Sequence, residues 1–190
     1  MTQRLLDMTY LKLFGKKREF ICKLENIRPR LYRLAYSWCH QQALADDLVQ
    51  ETLAKALKYE TQLKELQKFD SWAFAILTNN WRNHLSRTRI MDNIDDHIFV
   101  DTNTPDKMVE QDQLNTFVHN AVETLPQGQR QVITLVDLEG FSYAEVSEIL
   151  DIPIGTVMSR ISRARNALAD KLFNNNQQTE HGSSFMWRVK

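Results

Sequence analysis

Apolar side chains recur at every third or fourth position over two long stretches of the chain, residues 24–85 and residues 114–173. This spacing is the period of an amphipathic α-helix that buries one face. Between the two stretches, residues 91–113 are polar and acidic, contain Pro105 and show no such period. The pattern therefore predicts an all-α protein in which two small helical domains are joined by a flexible acidic linker.

The two ends of the chain differ from these domains. Residues 1–20 are weakly amphipathic and are treated as an N-terminal extension, so that the first domain covers residues 21–90 and the second covers residues 114–173. Residues 174–190 are polar and low in complexity apart from an apolar group around Trp187, which favours a mobile tail. Glycine and proline are scarce, at 5 and 4 residues, and this disfavours an all-β architecture.

The segment SYAEVSEILDIPIGTVMSRISRARNAL, residues 142–168, predicts a helix-turn-helix. Ser142 followed three positions later by Glu145 is a capping box that starts the first helix. Asp151, Ile152 and Pro153 interrupt the helix, and proline is tolerated at the start of the next one. In the second helix one apolar stripe is expected to be buried; its members are Val157, Ile161, Ala164 and Leu168.

The opposite side of this second helix is small, polar and basic. The residues predicted to contact duplex DNA are Gly155, Thr156, Ser159, Arg160 and Arg163, with Ser162 and Asn166 on the same side. Short side chains allow the helix backbone to approach a major groove, and arginines reach base edges or phosphates. The alternative is an ordinary helical hairpin with a solvated basic face.

In the first domain, residues 43–58 (ALADDLVQETLAKALK) predict a helix with an acidic outer side. Asp46 or Asp47 is expected to cap its start. The inward positions are expected to be Leu48, Val49, Leu53, Ala56 and Leu57. The outer side is formed by Asp47, Gln50, Glu51 and Lys55. Such a surface suits a basic protein partner better than DNA, and the alternative of metal ligands in a nuclease lacks a partner cluster.

Residues 69–89 (FDSWAFAILTNNWRNHLSRTR) predict a third type of surface. The apolar stripe consists of Phe74, Leu77, Trp81 and Leu85. The remaining surface is basic and rich in amides, and its predicted contacts to melted DNA are Asn79, Asn80, Arg82, Asn83, Arg87 and Arg89, with His84 among them. Cations and stacking groups suit single-stranded DNA. Trp72 and Trp81 are expected to be core residues rather than stacking platforms.

Charge and cysteine content narrow the class of protein. Lys+Arg and Asp+Glu are equal in number, 24 each, so the net charge is zero. The charges are nevertheless segregated, with basic segments on both sides of the acidic linker, a pattern that favours a nucleic-acid binder. Cys22 and Cys39 lack the spacing of a zinc site and are expected to be buried thiols in a reducing compartment. No metal site or cofactor is expected. Without a membrane span or a secretion signal in the sequence, the expected localisation is cytoplasmic, with no membrane insertion.

Three segments, in this order along the chain, resemble the extracytoplasmic-function (ECF) sigma factors, a group of small two-domain bacterial sigma factors. ADDLVQETLAKA resembles the helix that binds core RNA polymerase, and FDSWAFAILTNNWRNHLSR resembles the promoter-melting segment of the same domain, sigma region 2. LPQGQRQVITLVDLEGFSYAEVSEILDIPIGTVMSRISRARNAL resembles the helix-turn-helix of sigma region 4. The resemblance covers about Leu24–Leu172.

The resemblance implies roles for particular residues. Asp47, Gln50 and Glu51 would meet the clamp helices of the polymerase largest subunit. The loop Tyr59–Phe69 would hold a base flipped from the melted downstream element, near Asn79, Asn80 and Asn83. The residues that would read the upstream element as duplex are Thr156, Ser159, Arg160 and Arg163. The chain departs from the family at Met158, where a basic residue is usual, and in the loop, which lacks a glycine.

The sequence therefore predicts a sigma factor that binds RNA polymerase core and directs promoter-specific initiation, reading promoter DNA as duplex and as melted strand. Its implied partners are core polymerase, promoter DNA and an anti-sigma factor. The protein is not expected to be an enzyme. The alternative is a stand-alone helix-turn-helix regulator, for which the acidic face at Asp47–Glu51 would have no use.

Overall fold

The computed structural model describes the backbone of residues 2–92 and 120–180 and the side chains of residues 17–88 and 120–171. The chain divides into two compact units, one made of residues 1–101 with residues 148–151 and the other of residues 102–147 and 152–190. The described residues form helices and turns and contain no strand, which confirms the all-α prediction. The linker residues 93–113 and tail residues 181–190 lie outside the described residues.

The first unit consists of three helices: α1 (Thr2–Cys39), α2 (Gln42–Lys58) and α3 (Phe69–Asp92). Each helix contributes one apolar stripe to a shared core, which is the arrangement that stabilises short helices in water. The largest fully buried apolar side chains of this core are Leu31, Leu34, Val49, Phe69, Phe74 and Leu77. Residues 2–20 continue into α1, so the predicted extension and the first domain share one helix.

The start of α2 differs from the prediction. α1 ends at Cys39, His40 adopts a positive φ of 55°, and Gln41 is extended, so the connection is only two residues long. Helix α2 therefore begins at Gln42, and Asp46 and Asp47 lie inside it rather than at its cap. The capping preference of aspartate does not decide the helix start here, because Ala45, directly before the expected cap, is packed completely into the core as part of the helix.

The inward face of α2 is also rotated relative to the prediction. Ala45, Leu48, Val49, Thr52 and Ala56 are buried. Their spacing of three and four positions leaves Leu57 on the outside, where it is 49% exposed, and Leu53 is half-buried. The prediction for Leu57 is therefore wrong, and a threonine occupies a core position.

Three aromatic rings of α1 and α3 pack together in the first unit. Phe20 meets Phe69 edge-on with ring centroids 5.4 Å apart, and Trp72 lies 6.3 Å from both. Trp81 is buried in the core, as predicted, whereas Trp72 is half-buried. At the surface, Arg30 of α1 forms an ion pair with Asp70 of α3 and lies over the ring of Phe74, which links the two helices.

The second unit contains α4 (Gln127–Ile133), a π-helical turn (Thr134–Leu138), the larger part of α5 (Tyr143–Leu150) and α6 (Ile154–Glu180). Gly140 permits the turn before α5 because it adopts a φ of 77°, which side chains rarely tolerate. The fully buried apolar side chains include Val132, Leu135, Val146, Val157 and Ala164, and Ile161 is 3% exposed. The predicted inner stripe of α6 is confirmed over its first three positions, and Leu168 is half-buried.

The turn between α5 and α6 has the geometry that joins the helices of a helix-turn-helix. Asp151 adopts a φ of 50°, the N–H of Ile152 donates to the Ser147 carbonyl at 3.1 Å, and the N–H of Asp151 donates to the Glu148 carbonyl at 3.3 Å. This is a Schellman motif with aspartate where glycine is common. The Pro153 carbonyl then accepts the first backbone hydrogen bonds of α6, so that the proline restarts the helix as predicted.

The expectation of two buried thiols is wrong. Cys22 is exposed on the surface of α1 and Cys39 is half-buried at its end. The Cys39 thiol donates to the Gln41 carbonyl at 3.3 Å, and burial raises the pKa of the thiol.

Candidate nucleic-acid and protein interfaces

The outward side of α6 is solvent-exposed, as its periodicity predicts. The exposed residues among those predicted to face outward are Gly155, Ser159, Ser162, Arg163 and Asn166. Thr156 and Arg160 flank this surface and are half-buried. Met158 is 53% exposed and adds an apolar group beside the polar ones. The exposed residues extend over about three helical turns, and their contact with DNA stays a prediction.

Arg160 is held by the neighbouring helix. Its guanidinium lies over Gly128 of α4, where a Cβ atom would come within 3.1 Å of the guanidinium carbon. That distance is shorter than an ordinary van der Waals contact, so a Cβ atom at 128 would require the Arg160 guanidinium to shift by a few tenths of an ångström. Glycine at this position therefore allows the arginine to lie flat against α4. Sequence reasoning did not find this role, because the two residues are 32 positions apart.

Two arginines on α6 have different surroundings. Arg163 is exposed and forms no hydrogen bond or ion pair with any residue in the described ranges. Arg165 instead forms a two-pronged pair with Asp137, with nitrogen–oxygen distances of 2.7 and 3.3 Å, and this pair raises the pKa of Arg165. Arg165 thus fastens α6 to the π-helical turn. No local sequence signal could have separated the two arginines.

The capping box of α5 is confirmed. The Glu145 carboxylate accepts from the Ser142 N–H at 2.8 Å and from its hydroxyl at 2.7 Å, and the Glu145 N–H approaches the Ser142 hydroxyl at 3.3 Å. These hydrogen bonds lower the pKa of Glu145 because they stabilise its charged form. The box fixes the start of α5 and with it the direction of the helix that precedes α6.

Most of the predicted polar surface of α3 is exposed. Asn79, Asn83 and Arg87 face solvent, and the exposed guanidinium of Arg82 lies 3.4 Å from the Asn79 side-chain oxygen. His84 is half-buried and stacks on Trp81 with ring centroids 5.7 Å apart. The side chain of Arg89 lies outside the described residues.

Asn80 is the exception on α3. Its side chain is buried, with 2% of the residue exposed, and its amide nitrogen donates to the Thr52 hydroxyl of α2 at 3.0 Å. The Asn80 oxygen accepts a hydrogen bond from the Lys55 ammonium. The prediction that Asn80 lies on the exposed polar surface is wrong, because two polar groups on α2 satisfy its carboxamide in the core.

The outer side of α2 carries the predicted acidic face. Asp47, Gln50 and Glu51 are exposed. Lys55 is half-buried rather than fully outward, since its ammonium pairs with Glu51 at 2.7 Å and also bonds to Asn80. The exposed charges of this face are therefore the carboxylates of Asp47 and Glu51, whereas the Lys55 ammonium is half-buried beneath them.

The loop between α2 and α3 is partly ordered by two 3₁₀ turns, Glu60–Gln62 and Leu66–Lys68. Tyr59 is exposed at the end of α2, with the Lys58 ammonium 5.4 Å from its ring centre. Phe69, the first residue of α3 after the loop, is fully buried in the core. A ring and an ammonium at the rim of a loop are suitable groups for a base and its phosphate.

Among the described side chains, no group of three or more histidine, cysteine or acidic residues is arranged to hold a metal ion. In the same part of the chain, no helix is both long enough and apolar enough to cross a membrane.

Comparisons with known proteins agree on one family. Residues 24–90 match the family described as Sigma-70 region 2, and residues 118–168 match Sigma-70, region 4. The chain is 30% identical over 166 residues to the RNA polymerase sigma-H factor of Pseudomonas aeruginosa, covering 81% of this chain and 86% of that protein. It is 32% identical over 138 residues to the ECF RNA polymerase sigma-E factor of Escherichia coli K12, covering 66% and 72% of the two chains.

Two solved structures have a similar fold. The sigma factor RpoE of Bartonella quintana, in a co-crystal with the anti-sigma factor NepR, is 30% identical with a TM-score of 0.72, over 82% of this chain and 97% of that one. CnrH, in complex with the cytosolic domain of CnrY, is 24% identical with a TM-score of 0.61, over 83% and 90% of the two chains, and has a similar fold.

Proposed function

The chain belongs to the ECF sigma factors, which direct transcription initiation by bacterial RNA polymerase, and on that premise we propose how its surfaces divide this function. The α2 face binds core polymerase, the polar side of α3 and the loop before it bind the melted promoter strand, and the outward side of α6 reads the upstream element as duplex. The observation that carries the proposal is that exposed acidic and exposed basic surfaces lie on different helices.

The core-binding proposal rests on charge and exposure. Asp47 and Glu51 are one turn apart on α2 and exposed, with Gln50 beside them. A carboxylate pair of this kind is complementary to arginines and lysines on a partner, and complementary charge governs both encounter and register. A free-standing regulator would gain nothing from an acidic surface beside DNA.

The proposal for melted DNA rests on the exposed residues of α3. Asn79, Asn83 and Arg87 offer amides to base edges and a cation to phosphate, and Tyr59 offers a ring at the loop. Arg82 is exposed on the same helix, and Arg89 is included from the sequence alone. Asn80 is removed from this set because it is buried.

The proposal for duplex DNA rests on α6. Gly155 and Ser159 are small and exposed near the start of the helix, where a recognition helix contacts base edges. Arg163 follows them one turn later, and Thr156 and Arg160 lie at the edge of the same surface. Arg160, held over Gly128, is oriented toward one side of the helix rather than straight outward.

Partners and place of action follow from this function. One relative was crystallised with an anti-sigma factor, and an anti-sigma factor is proposed as a partner here. Because its partner polymerase transcribes the chromosome, the protein is proposed to act in the cytoplasm. It is proposed to have no catalytic site of its own and to require no cofactor, since the polymerase performs the chemistry.

The test is a double charge reversal, Asp47→Lys with Glu51→Lys, assayed by titration of core polymerase with labelled chain. Like charges placed opposite each other cost several kcal/mol, and about 1.4 kcal/mol corresponds to a tenfold change in affinity. We expect a nanomolar complex to be lost. The fold should remain, because both side chains are exposed and only the Glu51–Lys55 pair, worth about 0.3–0.5 kcal/mol, is removed.

The matched control is Glu19→Lys with Glu25→Lys, which changes the net charge equally on exposed positions of α1. The control should bind core polymerase as the unmodified chain does. If the α2 variant binds equally well, or if both variants fail equally, the assignment of α2 as the core-binding face is wrong.

A further inference from the structure

We propose that Asn80 is a positioning residue for the core-binding face: it anchors the Lys55 ammonium and so keeps the Glu51 carboxylate available to polymerase. The inference rests on the proposed function of α2. It assigns Asn80 to polymerase binding and not to contact with the melted strand, although its neighbours on α3 have that second role.

The Asn80 carboxamide links α3 to α2 through both its nitrogen and its oxygen. Its nitrogen donates to the Thr52 hydroxyl at 3.0 Å, and its oxygen accepts from Lys55. The Thr52 hydroxyl in turn donates to the Leu48 carbonyl at 2.7 Å, so its own hydrogen is already used. A buried amide with a partner at each end has a fixed orientation, because every alternative leaves a polar group without a hydrogen bond.

Lys55 connects this buried amide to the surface. Its ammonium lies between the Asn80 oxygen and the Glu51 carboxylate, 2.7 Å from the latter. The side chain of Glu51 is 47% exposed, against 35% for Lys55, so the carboxylate is the more accessible partner. Without the Asn80 acceptor, the ammonium would keep Glu51 as its nearest described acceptor and move outward toward it. The positive charge of Lys55, already paired with Glu51, would then lie farther out on the acidic face, where a basic partner must dock, so binding would weaken.

Burial argues against direct contact with a base. With 2% of the residue exposed and both ends of the carboxamide bonded to α2, Asn80 could reach DNA only if those hydrogen bonds were broken. Asn83, one turn later, is exposed and has no such restriction. Substitution of Asn80 should therefore affect core binding, whereas substitution of Asn83 should affect promoter opening, which makes Asn83 a matched control.

The experiment measures two quantities for the full chain: its affinity for core polymerase without DNA, and promoter opening by holoenzyme assembled at saturating chain. Asn80→Ala should weaken core binding about tenfold, because the released Lys55 ammonium would partly neutralise the acidic face that the polymerase meets. Opening by the saturated holoenzyme should equal that of the unmodified protein. Asn83→Ala should show the reverse, with unchanged core affinity and reduced permanganate reactivity of the melted strand.

Two more variants separate positioning from stability. Asn80→Asp retains an acceptor for Lys55 and should restore most of the core affinity, because the Thr52 hydroxyl can rotate to donate to the new carboxylate. Thr52→Val removes the partner of the Asn80 nitrogen but not the Lys55 contact, so it should lower the melting temperature and leave core affinity unchanged. If Asn80→Ala does not fold, Asn80→Leu, which has the same number and branching of side-chain heavy atoms and accepts no hydrogen bond, takes its place.

The outcomes are distinct. If Asn80→Ala binds core polymerase normally and opens promoters poorly at saturation, Asn80 is a DNA contact and the inference is overturned. Equal weakening of core binding by Asn80→Asp and Thr52→Val would overturn it as well, since packing alone would then explain the effect. If the unmodified chain does not bind core polymerase, the proposed function fails, a result that is separate from any difference among the variants.

Discussion

Replacing Arg163 by alanine tests the duplex-reading surface with little disturbance of the fold. The Arg163 side chain is exposed and makes no hydrogen bond or ion pair within the described residues, so its removal breaks no contact seen there. Alanine is also the best helix former, and α6 should therefore be as stable as before. The change removes one positive charge from the outward side of the proposed recognition helix.

The magnitude follows from counterion release. Each phosphate contact contributes about 0.9 to the slope of log affinity against log salt, so Arg163→Ala should lower that slope by about 0.9 if Arg163 meets a phosphate. When salt rises from about 50 to about 200 mM, the affinity of the unmodified protein should then fall about 3.5-fold more than that of the variant. If Arg163 contacts a base, the slope stays and specificity relaxes at one position by about 1–3 kcal/mol.

The assay is binding of reconstituted holoenzyme to a labelled duplex promoter over a series of salt concentrations. Arg165→Ala is the matched control because Arg165 lies on the same helix and is paired with Asp137. This control should cost at most about 1 kcal/mol of stability and leave the salt slope unchanged. An unchanged slope together with unchanged specificity for Arg163→Ala would refute the assignment of this side of α6 to DNA.

Two predictions concern the stability of the helix-turn-helix. Ser142→Ala should destabilise the second unit by about 1 kcal/mol, because it removes the N-cap hydroxyl of α5. Ser142 lowers the pKa of Glu145, so the stabilisation from this carboxylate is present above the ordinary glutamate pKa of about 4.3 and is lost as pH falls through the lowered value. In the variant, acid unfolding followed by circular dichroism should show this loss at a higher pH. Identical acid profiles of the two proteins would contradict the prediction. Asp151→Gly should raise the melting temperature, because glycine adopts the positive φ at this position without strain, whereas Asp151→Val should lower it. A lower melting temperature for Asp151→Gly would contradict the turn geometry.

The periodic features of the fold were predictable from sequence. The stripe of Val157 and Ile161 and the box of Ser142 and Glu145 are local, and local signals fix which side of a helix is buried and where it begins. The start of α2 was not predictable in this way. Asp46 is a good capping residue, but the turn at His40 and the packing of Ala45 place the helix start four residues earlier than Asp46.

For the candidate sites, the exposed face of each helix was predictable from sequence, but the hydrogen-bond and ion-pair partners of its side chains were not. Exposure of Asp47, Glu51 and Arg163 followed from helical period alone. The burial of Asn80 did not, because it depends on Thr52, 28 positions earlier and itself in an unexpected core position. Likewise, the pairing of Arg165 with Asp137 depends on how α6 packs against the π-helical turn. Polar groups that meet across helices leave no pattern in a single sequence.

The most direct test of the account is promoter opening by purified components. Bacterial core polymerase, the full chain and a duplex promoter selected from randomised DNA are mixed, and permanganate reactivity of thymines and transcript formation are measured. We predict that reactive thymines and transcripts appear only when core and chain are both present, and that both are lost with Asp47→Lys and Glu51→Lys. Tight, specific binding of the chain to that DNA without core polymerase, with no strand opening when core is added, would contradict the account.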